Sequence, residues 1–291
     1  MKLQHIAAAA LALTAFGSAN AAIATGGNGS LVLIAYDKSP AGSFNNVAGV
    51  FDLGITMDDL IGAASTATAS TAGSLDGQGK KLDWDLTTGG LKIDGSISNA
   101  YGAFNYGTAW NTLVNNVDAN NFSFVVTAFD TVGFGTALRS IVTGSNAAAN
   151  FNSTQAAALN LIGGGKTNDI FTPIANKGTN ASVANGAYTF TTADGAATRA
   201  NGYAMAGDGF GNEWRSNNVL QGETLVANTT GLWMVNGNTI PAKYKIGDVT
   251  LNAQTGVLTL ATAPIPEPTT YALLITGLAV VGAAARRRRA A

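Results

Sequence analysis

Short apolar runs separated by turn-forming residues recur along most of this chain. Residues 31–36 form a continuous apolar run, which is typical of a strand buried on both faces. Leu82, Trp84 and Leu86 alternate with charged residues, so they predict a strand that turns one face inward. Residues 122–129 are mostly aromatic or β-branched and predict a core strand. These patterns favour strands over long helices.

Further strands are predicted in the second half of the chain. Three short candidates are residues 187–192, 223–227 and 232–235. Residues 248–251 and 257–260 flank a five-residue loop that ends in Gly256. This arrangement predicts a terminal hairpin, because glycine adopts the positive φ that such loops use. The spacing of strands and turns predicts an all-β fold, specifically a jelly-roll-like β-sandwich.

One or two short helices are expected within this β fold. Residues 146–162 place their bulkier apolar side chains on one helical face, and three glycines follow. Asp58 and Asp59 come directly after Thr56 and predict a single-turn helix, because carboxylates stabilise a helix N-terminus. Residues 63–79 are rich in Ser and Thr and predict a mobile loop.

The N-terminus has the features of a secretory signal peptide. Lys2 supplies a positive charge, an apolar run too short for a permanent membrane span follows, and Ala19 and Ala21 are the small residues that a signal peptidase requires. We expect the signal peptidase to cleave after Ala21 or one residue later. Residues 1–21 are therefore predicted to be a signal peptide, and residues 22–262 an exported β-sandwich domain.

The last part of the chain combines three elements. In order, they are Pro266, Glu267 and Pro268, the uncharged segment 271–285, and Arg286, Arg287, Arg288 and Arg289. As a helix the segment reaches about 22 Å, short of the roughly 30 Å hydrocarbon core, so it is a marginal membrane span. Arginine is retained on the cytoplasmic side, so the arginine tail is predicted to lie inside and the chain before Pro266 outside.

This order of parts resembles the PEP-CTERM sorting signal of bacterial exported proteins, and the resemblance covers residues 265–291. It implies that a membrane-embedded exosortase recognises the chain and cleaves it near the Pro-Glu-Pro motif. The precursor would be anchored transiently in the inner membrane and then reach the cell surface or the extracellular matrix. The resemblance implies a route and leaves the activity of the exported part open.

Charge is unevenly distributed between the exported part and the two ends. Five of the 16 basic residues, Lys2 and the four tail arginines, lie outside the predicted mature part, about residues 22–267, whereas all 17 acidic residues lie inside it. Eleven basic against 17 acidic residues leave the mature part a net charge near −6. An acidic domain repels phosphate backbones, which argues against nucleic acid as a partner.

Two residue types that carry much enzyme chemistry are missing from the mature part. The chain has no cysteine, and its single histidine, His5, lies within the predicted signal peptide. Disulfides, thiolate metal sites, histidine-based zinc sites and Ser-His-Asp hydrolysis are therefore excluded. Carboxylate chemistry, Ser-Lys chemistry and calcium binding through oxygen ligands remain. We expect no cofactor and no dedicated metal site, and leave calcium binding open.

The remaining candidate residues are acids and tryptophans. Asp83 and Asp85 flank Trp84 and point the same way on a strand, which suits a sugar or calcium contact as well as an ordinary solvated strand face. Asp208 and Glu213 lie in a glycine-rich loop. Trp110 and Trp214, in Asn/Gly-rich segments, are candidate stacking platforms for saccharides, whereas Trp84 and Trp233 are expected in the core.

The sequence favours a non-enzymatic exported protein with a structural or adhesive role at the cell surface or in an exopolysaccharide matrix. The alternative is a carbohydrate-binding module that uses Trp110 and Trp214. A third hypothesis is a carboxylate-dependent hydrolase, which requires two acids from the set Asp83, Asp85, Asp208 and Glu213 across a cleft.

Overall fold

The computed structural model describes residues 28–37, 48–63, 74–98, 101, 106, 108–117, 122–129, 139–144, 186–190, 216–217, 220–221, 224–225, 227–236, 242–263 and 276–278. Within these residues the chain forms strands β1 (Ser30–Asp37), β2 (Ala48–Thr56), helix α1 (Met57–Ile61), β3 (Lys81–Asp85), β4 (Gly90–Ile93), β5 (Ser96–Ile97), helix α2 (Ala109–Val114), β6 (Phe122–Phe129) and β7 (Arg139–Gly144). They are followed by β8 (Ala187–Phe190), β9 (Ser216–Asn217), β10 (Leu220–Gln221), β11 (Thr224–Leu225), β12 (Ala227–Asn236), β13 (Ala242–Asn252) and β14 (Val257–Thr262). The predicted helix over 146–162 lies outside the described residues.

Twelve strands form one antiparallel sheet. Its order is β5-β4-β3-β14-β13-β12-β7-β6-β1-β2-β8, with β9 paired to β6, while β10 and β11 form a separate pair. The prediction of an all-β fold with few short helices is confirmed. The prediction of a two-sheet sandwich is wrong, because hydrogen bonds join the strands from β5 to β8 into one continuous sheet. Strand β12 pairs with both β7 and β13 and so joins the two halves.

The sheet curls so that its two halves enclose one core. Six strands lie between β3, which carries Trp84, and β2, which carries Leu53, yet Trp84 Nε1 donates to the Leu53 carbonyl at 2.7 Å. Phe51 meets Tyr106 edge to face at 5.4 Å between ring centroids. The largest fully buried side chains of this core are Trp84, Trp110, Tyr106, Phe51, Phe122 and Phe124. The curl therefore achieves what a sandwich achieves, the burial of one sheet face against another.

The central strands are buried on both faces. Residues 30–36 of β1 and all eight residues of β6 are buried, including positions that alternate to opposite sides of the sheet. The continuous apolar runs at 31–36 and 122–129 predict this arrangement, and it is confirmed. Strand β3 instead alternates, with Leu82 and Trp84 buried and the intervening positions more exposed, as its pattern predicts.

The terminal hairpin predicted between 248 and 260 is confirmed and is longer than expected. Strands β13 and β14 pair from Gly247 with Thr262 to Asn252 with Val257. The connection is therefore the four residues 253–256, and Gly256 has a φ of 69°. Strands β2 and β7 were not singled out by the sequence patterns, because glycine and polar residues interrupt their apolar runs.

Helix α1 begins where the acidic pair predicts it. Thr56 is the N-cap, and its backbone N–H donates to Asp59 Oδ2 at 2.8 Å, while the Asp59 backbone N–H donates to Thr56 Oγ1 at 3.3 Å. This reciprocal capping box satisfies two otherwise unpaired donors. Arg139 contacts both ends of the helix, because it donates to the carbonyls of Gly62 and Ala63 after the last turn and forms an ion pair with Asp58 in the first turn at 2.8 Å.

The expectation of a mobile loop over 63–79 is wrong for its last part. Ser74, Leu75 and Asp76 are buried, and the Asp76 carboxylate accepts from Ser74 Oγ and from Tyr244 OH, both at 2.7 Å. Small and polar residues predict a solvated loop, but here hydrogen bonds to neighbouring elements hold them inside. Residues 64–73 lie outside the described part of the chain.

Within the described ranges, no helix combines the length and the apolar character needed to cross a bilayer. Of the apolar segment 271–285, residues 276–278 are described; they are helical and exposed.

Candidate functional site

The described domain ends within a few residues of the predicted sorting signal. Strand β14 lies between β13 and β3, so it is bonded on both edges. Thr262 N donates to the Lys80 carbonyl at 2.9 Å, and Ala263 N donates to the Ile246 carbonyl at 3.0 Å. Pro266 therefore follows three residues after a backbone amide that is still hydrogen-bonded to the sheet.

The Thr262 side chain also forms hydrogen bonds at this end of β14. Its hydroxyl accepts from Lys80 N at 2.8 Å and lies 3.1 Å from the Lys80 carbonyl and 3.4 Å from the Leu75 carbonyl, as a donor to either. The residue is buried. The last strand is thus held in place up to the start of the sorting segment.

The residues predicted to carry sorting and processing lie outside the described part of the chain. They are Ala19, Ala21, Pro266, Glu267, Pro268, Arg286, Arg287, Arg288 and Arg289. Trp214, Asp208 and Glu213 also lie outside it. Their proposed roles stay predictions.

A groove of about 420 Å³ lies on the outer face of β14, β3, β4 and β5. The strand register places Thr259, Asp83, Lys92 and Ile97 in one row across these four strands. Ile97 is 73% exposed. This surface, the outer groove, is lined by two carboxylates, two ammonium groups and two hydroxyls beside Ile97; they belong to Asp83, Asp85, Lys81, Lys92, Thr88 and Thr259.

Asp83 and Asp85 do face the same side of β3, but their bonds are local. Asp83 accepts from Thr259 Oγ1 at 2.5 Å and forms an ion pair with Lys81 at 2.8 Å. Asp85 Oδ1 accepts from Thr87 N at 2.9 Å and Thr87 Oγ1 at 2.6 Å, which caps the turn after β3. Partial burial acts to raise the pKa of Asp85, but hydrogen bonds from Thr87 and Thr88 outweigh it and leave the pKa lowered. A general acid needs the opposite shift.

Trp110 does not occupy an exposed loop, so its predicted role as a stacking platform is wrong. It lies in helix α2, is 2% exposed, and packs edge to face on Phe51 at 5.6 Å. A Cβ built on Gly256 would lie 2.8 Å from Trp110 Nε1, so the hairpin turn covers the ring. No ring face is left for a saccharide.

Trp84 and Trp233 are buried, as predicted. Trp233 is 9% exposed, and its indole N–H donates to the Gly144 carbonyl at 3.3 Å. The residues that the structure describes contain no group of three or more histidines or carboxylates placed to hold a metal ion.

Asp52 is a buried carboxyl that the sequence patterns did not nominate. It lies in β2 and is 1% exposed; Oδ1 accepts from Gly54 N at 2.9 Å, and Oδ2 is without a hydrogen-bond partner. Burial raises the pKa of Asp52 to about 6, although hydrogen bonds from Gly54 and Ser30 act to lower it. An Asp between Phe51 and Leu53 in an apolar segment is the signal that could have identified it.

Tyr106 lies beside this carboxyl. It is fully buried and donates its hydroxyl to the backbone carbonyl of Asp52. Burial, with a smaller contribution from the Asp52 charge, raises the pKa of Tyr106 well above its usual value. The pair is enclosed in the core, away from a ligand at the surface.

Comparison with known proteins identifies one segment of the chain. No curated protein and no solved structure matches it. The family model for the PEP-CTERM protein-sorting motif matches residues 264–289, which contain the Pro-Glu-Pro sequence, the apolar segment and the arginine tail. The chain therefore carries a PEP-CTERM protein-sorting motif, which marks it as an exported protein processed by an exosortase from a membrane-anchored precursor.

Proposed function

We propose that this protein is a non-enzymatic exosortase substrate whose sheet domain has a structural or adhesive role at the cell surface or in an exopolysaccharide matrix. The observation that carries the proposal is the sorting motif at residues 264–289. A signal peptide over residues 1–21 would deliver the chain to the export machinery, with signal peptidase as its first partner.

The chemistry of the described domain supports a role without catalysis. Asp83 and Asp85 are engaged by neighbouring hydroxyls, amides and an ammonium group, and the buried Asp52 lies in the core. The mature part contains no histidine and no cysteine. The outer groove on β14, β3, β4 and β5 presents polar side chains, which suits contact with a hydrated matrix.

Neutralising the arginine tail tests the sorting assignment. Arg286, Arg287, Arg288 and Arg289 are replaced by Gln, and the C-terminal fragment and surface delivery are followed by immunoblotting of cell fractions. We expect the precursor to accumulate and surface delivery to fall, because the tail no longer fixes the orientation of the apolar segment.

The matched control replaces Lys81 and Lys92 by Gln, which removes exposed positive charge from the folded domain. We expect its processing and delivery to equal those of the natural chain. Unchanged processing of the arginine variant would contradict the proposed route.

A carbohydrate-binding role is the second candidate, and the outer groove is the observation that favours it. Hydroxyl and carboxylate groups beside an apolar side chain are suited to sugar recognition. Since Trp110 is buried, the stacking part of this hypothesis depends on Trp214. Binding to a glycan array that is lost in Trp214→Ala or Asp83→Ala would support it, and the absence of binding to any glycan would remove it.

The hydrolase hypothesis now depends on residues outside the described ranges. Asp83 and Asp85 are held by local bonds on one strand face, so a second acid across a cleft would have to be Asp208 or Glu213. Hydrolysis of an exopolysaccharide that survives Asp208→Asn and Glu213→Gln would contradict that assignment.

A further inference from the structure

The first described residues are bonded to helix α1. Met57 N donates to the Gly29 carbonyl at 2.9 Å, and Asp58 N donates to Asn28 Oδ1 at 2.8 Å. The start of the domain is thus fixed at the end of the sheet where α1 lies.

The last strand of the domain is connected to the same helix through Leu75 and Asp76. Leu75 N donates to the Asp59 carbonyl at 3.2 Å, and Asp76 N donates to the Leu60 carbonyl at 2.8 Å. The Leu75 carbonyl is in turn 3.4 Å from the Thr262 hydroxyl. Hydrogen bonds therefore link Gly29 to Thr262 by way of α1 and Leu75, and the two ends leave the fold at the same end of the sheet. We call this end of the sheet, formed by residues 28–29, α1, residues 74–80 and residues 262–263, the exit pole.

The opposite end of the sheet is formed by two turns and a helix. The turn after β3 contacts the hairpin turn of β13 and β14, since Leu86 N donates to the Gly256 carbonyl at 2.7 Å. Trp110 of α2 packs beneath Gly256. Five residue steps along β14, about 17 Å at 3.3 Å per residue, separate Thr262 from Val257 at this end. We call it the distal pole.

The chain between the exit pole and the apolar segment is short. Eight residue steps separate Ala263 from Tyr271, which limits the distance between them to about 28 Å even when fully extended. On the N-terminal side, residues 22–27 alone separate the predicted signal peptide from Asn28. Both ends that meet the membrane during export therefore approach the domain from one side.

Charge attraction is not required to hold the domain there. At the exit pole Lys80 is paired with Asp94 at 2.8 Å, and nearby Lys245 is paired with Asp248 at 2.6 Å. These ion pairs offset the positive charges of Lys80 and Lys245. Instead, the short chain between Ala263 and Tyr271 raises the local concentration of the exit pole at the lipid surface.

From this geometry we propose that in the anchored precursor the exit pole faces the lipid surface and the distal pole faces away from it. The inference rests on the sorting assignment above and extends it to an orientation. In this orientation the distal turns, which include the exposed Gln254 and Thr255, lie farthest from the membrane.

Single cysteines can report this orientation, because the natural chain has no cysteine. Ser96→Cys places a label beside Lys81 and Asp94 near the exit pole, and Thr255→Cys places one at the distal pole; both positions are exposed. The full precursor is reconstituted, without exosortase, into phosphatidylethanolamine and phosphatidylglycerol vesicles that carry a headgroup quencher. Thermal melts of the labelled variants confirm that the fold is retained.

We expect quenching at position 96 to exceed quenching at position 255 by at least about twofold, because the poles are separated by roughly 17 Å or more. The difference should persist at high salt. A flexible Gly/Ser insertion of about twenty residues after Ala263 should reduce it, since such a linker adds about 25 Å of reach.

Equal quenching at the two positions in chains that float with the vesicles would overturn the orientation and leave the sorting assignment intact. Chains that fail to float with the vesicles would overturn the orientation together with the anchoring on which the proposed function rests.

Discussion

At the scale of single residues, the buried carboxyl of Asp52 has the clearest energetic consequence. Its folded-state pKa of about 6 lies above the ordinary 3.8, so the folded state binds the proton more tightly than the unfolded state. The contribution of Asp52 to stability is therefore greatest below pH 4, falls as the pH rises through the window from about 4 to 6, and stays lower above it. Two pKa units correspond to about 3 kcal/mol.

Asp52→Asn should remove this penalty. The amide can still accept from Gly54 N, and it carries no charge to bury. We expect the free energy of unfolding at pH 7 to rise by about 1 to 3 kcal/mol and its decline between pH 4 and pH 6 to flatten. Urea denaturation across this pH range measures both effects. Asp248→Asn, at an exposed surface pair, is the control and should change stability by less than about 1 kcal/mol.

Gly247 marks a second residue whose identity is dictated by its surroundings. A Cβ at this position would lie 2.1 Å from the Ala261 carbonyl oxygen, a backbone atom that cannot rotate away. Gly247→Ala should therefore lower the free energy of unfolding by at least about 1 to 3 kcal/mol. Gly90→Ala is the matched control, since its Cβ would meet only Thr88 Oγ1 at 3.7 Å. Equal melting temperatures for the two variants would contradict this account of the β13–β14 contact.

At the scale of elements, helix α1 depends on its cap because it has only five residues. Thr56→Ala removes the two hydrogen bonds that the Thr56 hydroxyl makes with Asp59 and should cost about 1 kcal/mol, while the backbone bond from residue 56 to the Asp59 carboxylate is retained. Thr108 precedes α2 in the same N-cap position but makes no capping hydrogen bond. Thr108→Ala should therefore be nearly neutral, and thermal denaturation followed by circular dichroism distinguishes the two. A larger loss for Thr108→Ala would contradict the assignment.

Local patterns predict the elements better than their arrangement. Alternation identifies β3, continuous apolar runs identify β1 and β6, and the acidic pair identifies α1, because these signals depend on neighbours in sequence. The burial of Trp110 depends on Phe51 and Gly256, which are distant in sequence, so an Asn-rich context misled the prediction. The single curled sheet likewise depends on which strand edges meet, and side-chain alternation does not encode that choice.

At the scale of the whole molecule, the domain closes through its last strand. Strand β14 lies between β3 from the first third of the chain and β13. We expect a chain ending at Ala263 to melt like the longer one, because every described bond of β14 is retained. A chain ending at Gly256 should fail to fold, because the edges of β3 and β13 lose their partner. Circular dichroism of the two purified fragments checks this, and a cooperative melt of the shorter one would contradict it.

The most direct test of the central claim is the intact mass of the protein recovered from the outside of the native cells. The sorting account predicts a chain that begins near Ala22 and has lost the apolar segment and the arginine tail, with its new C-terminus near Pro266 to Pro268. A full-length chain recovered from the cytosol, with both ends intact, would contradict it.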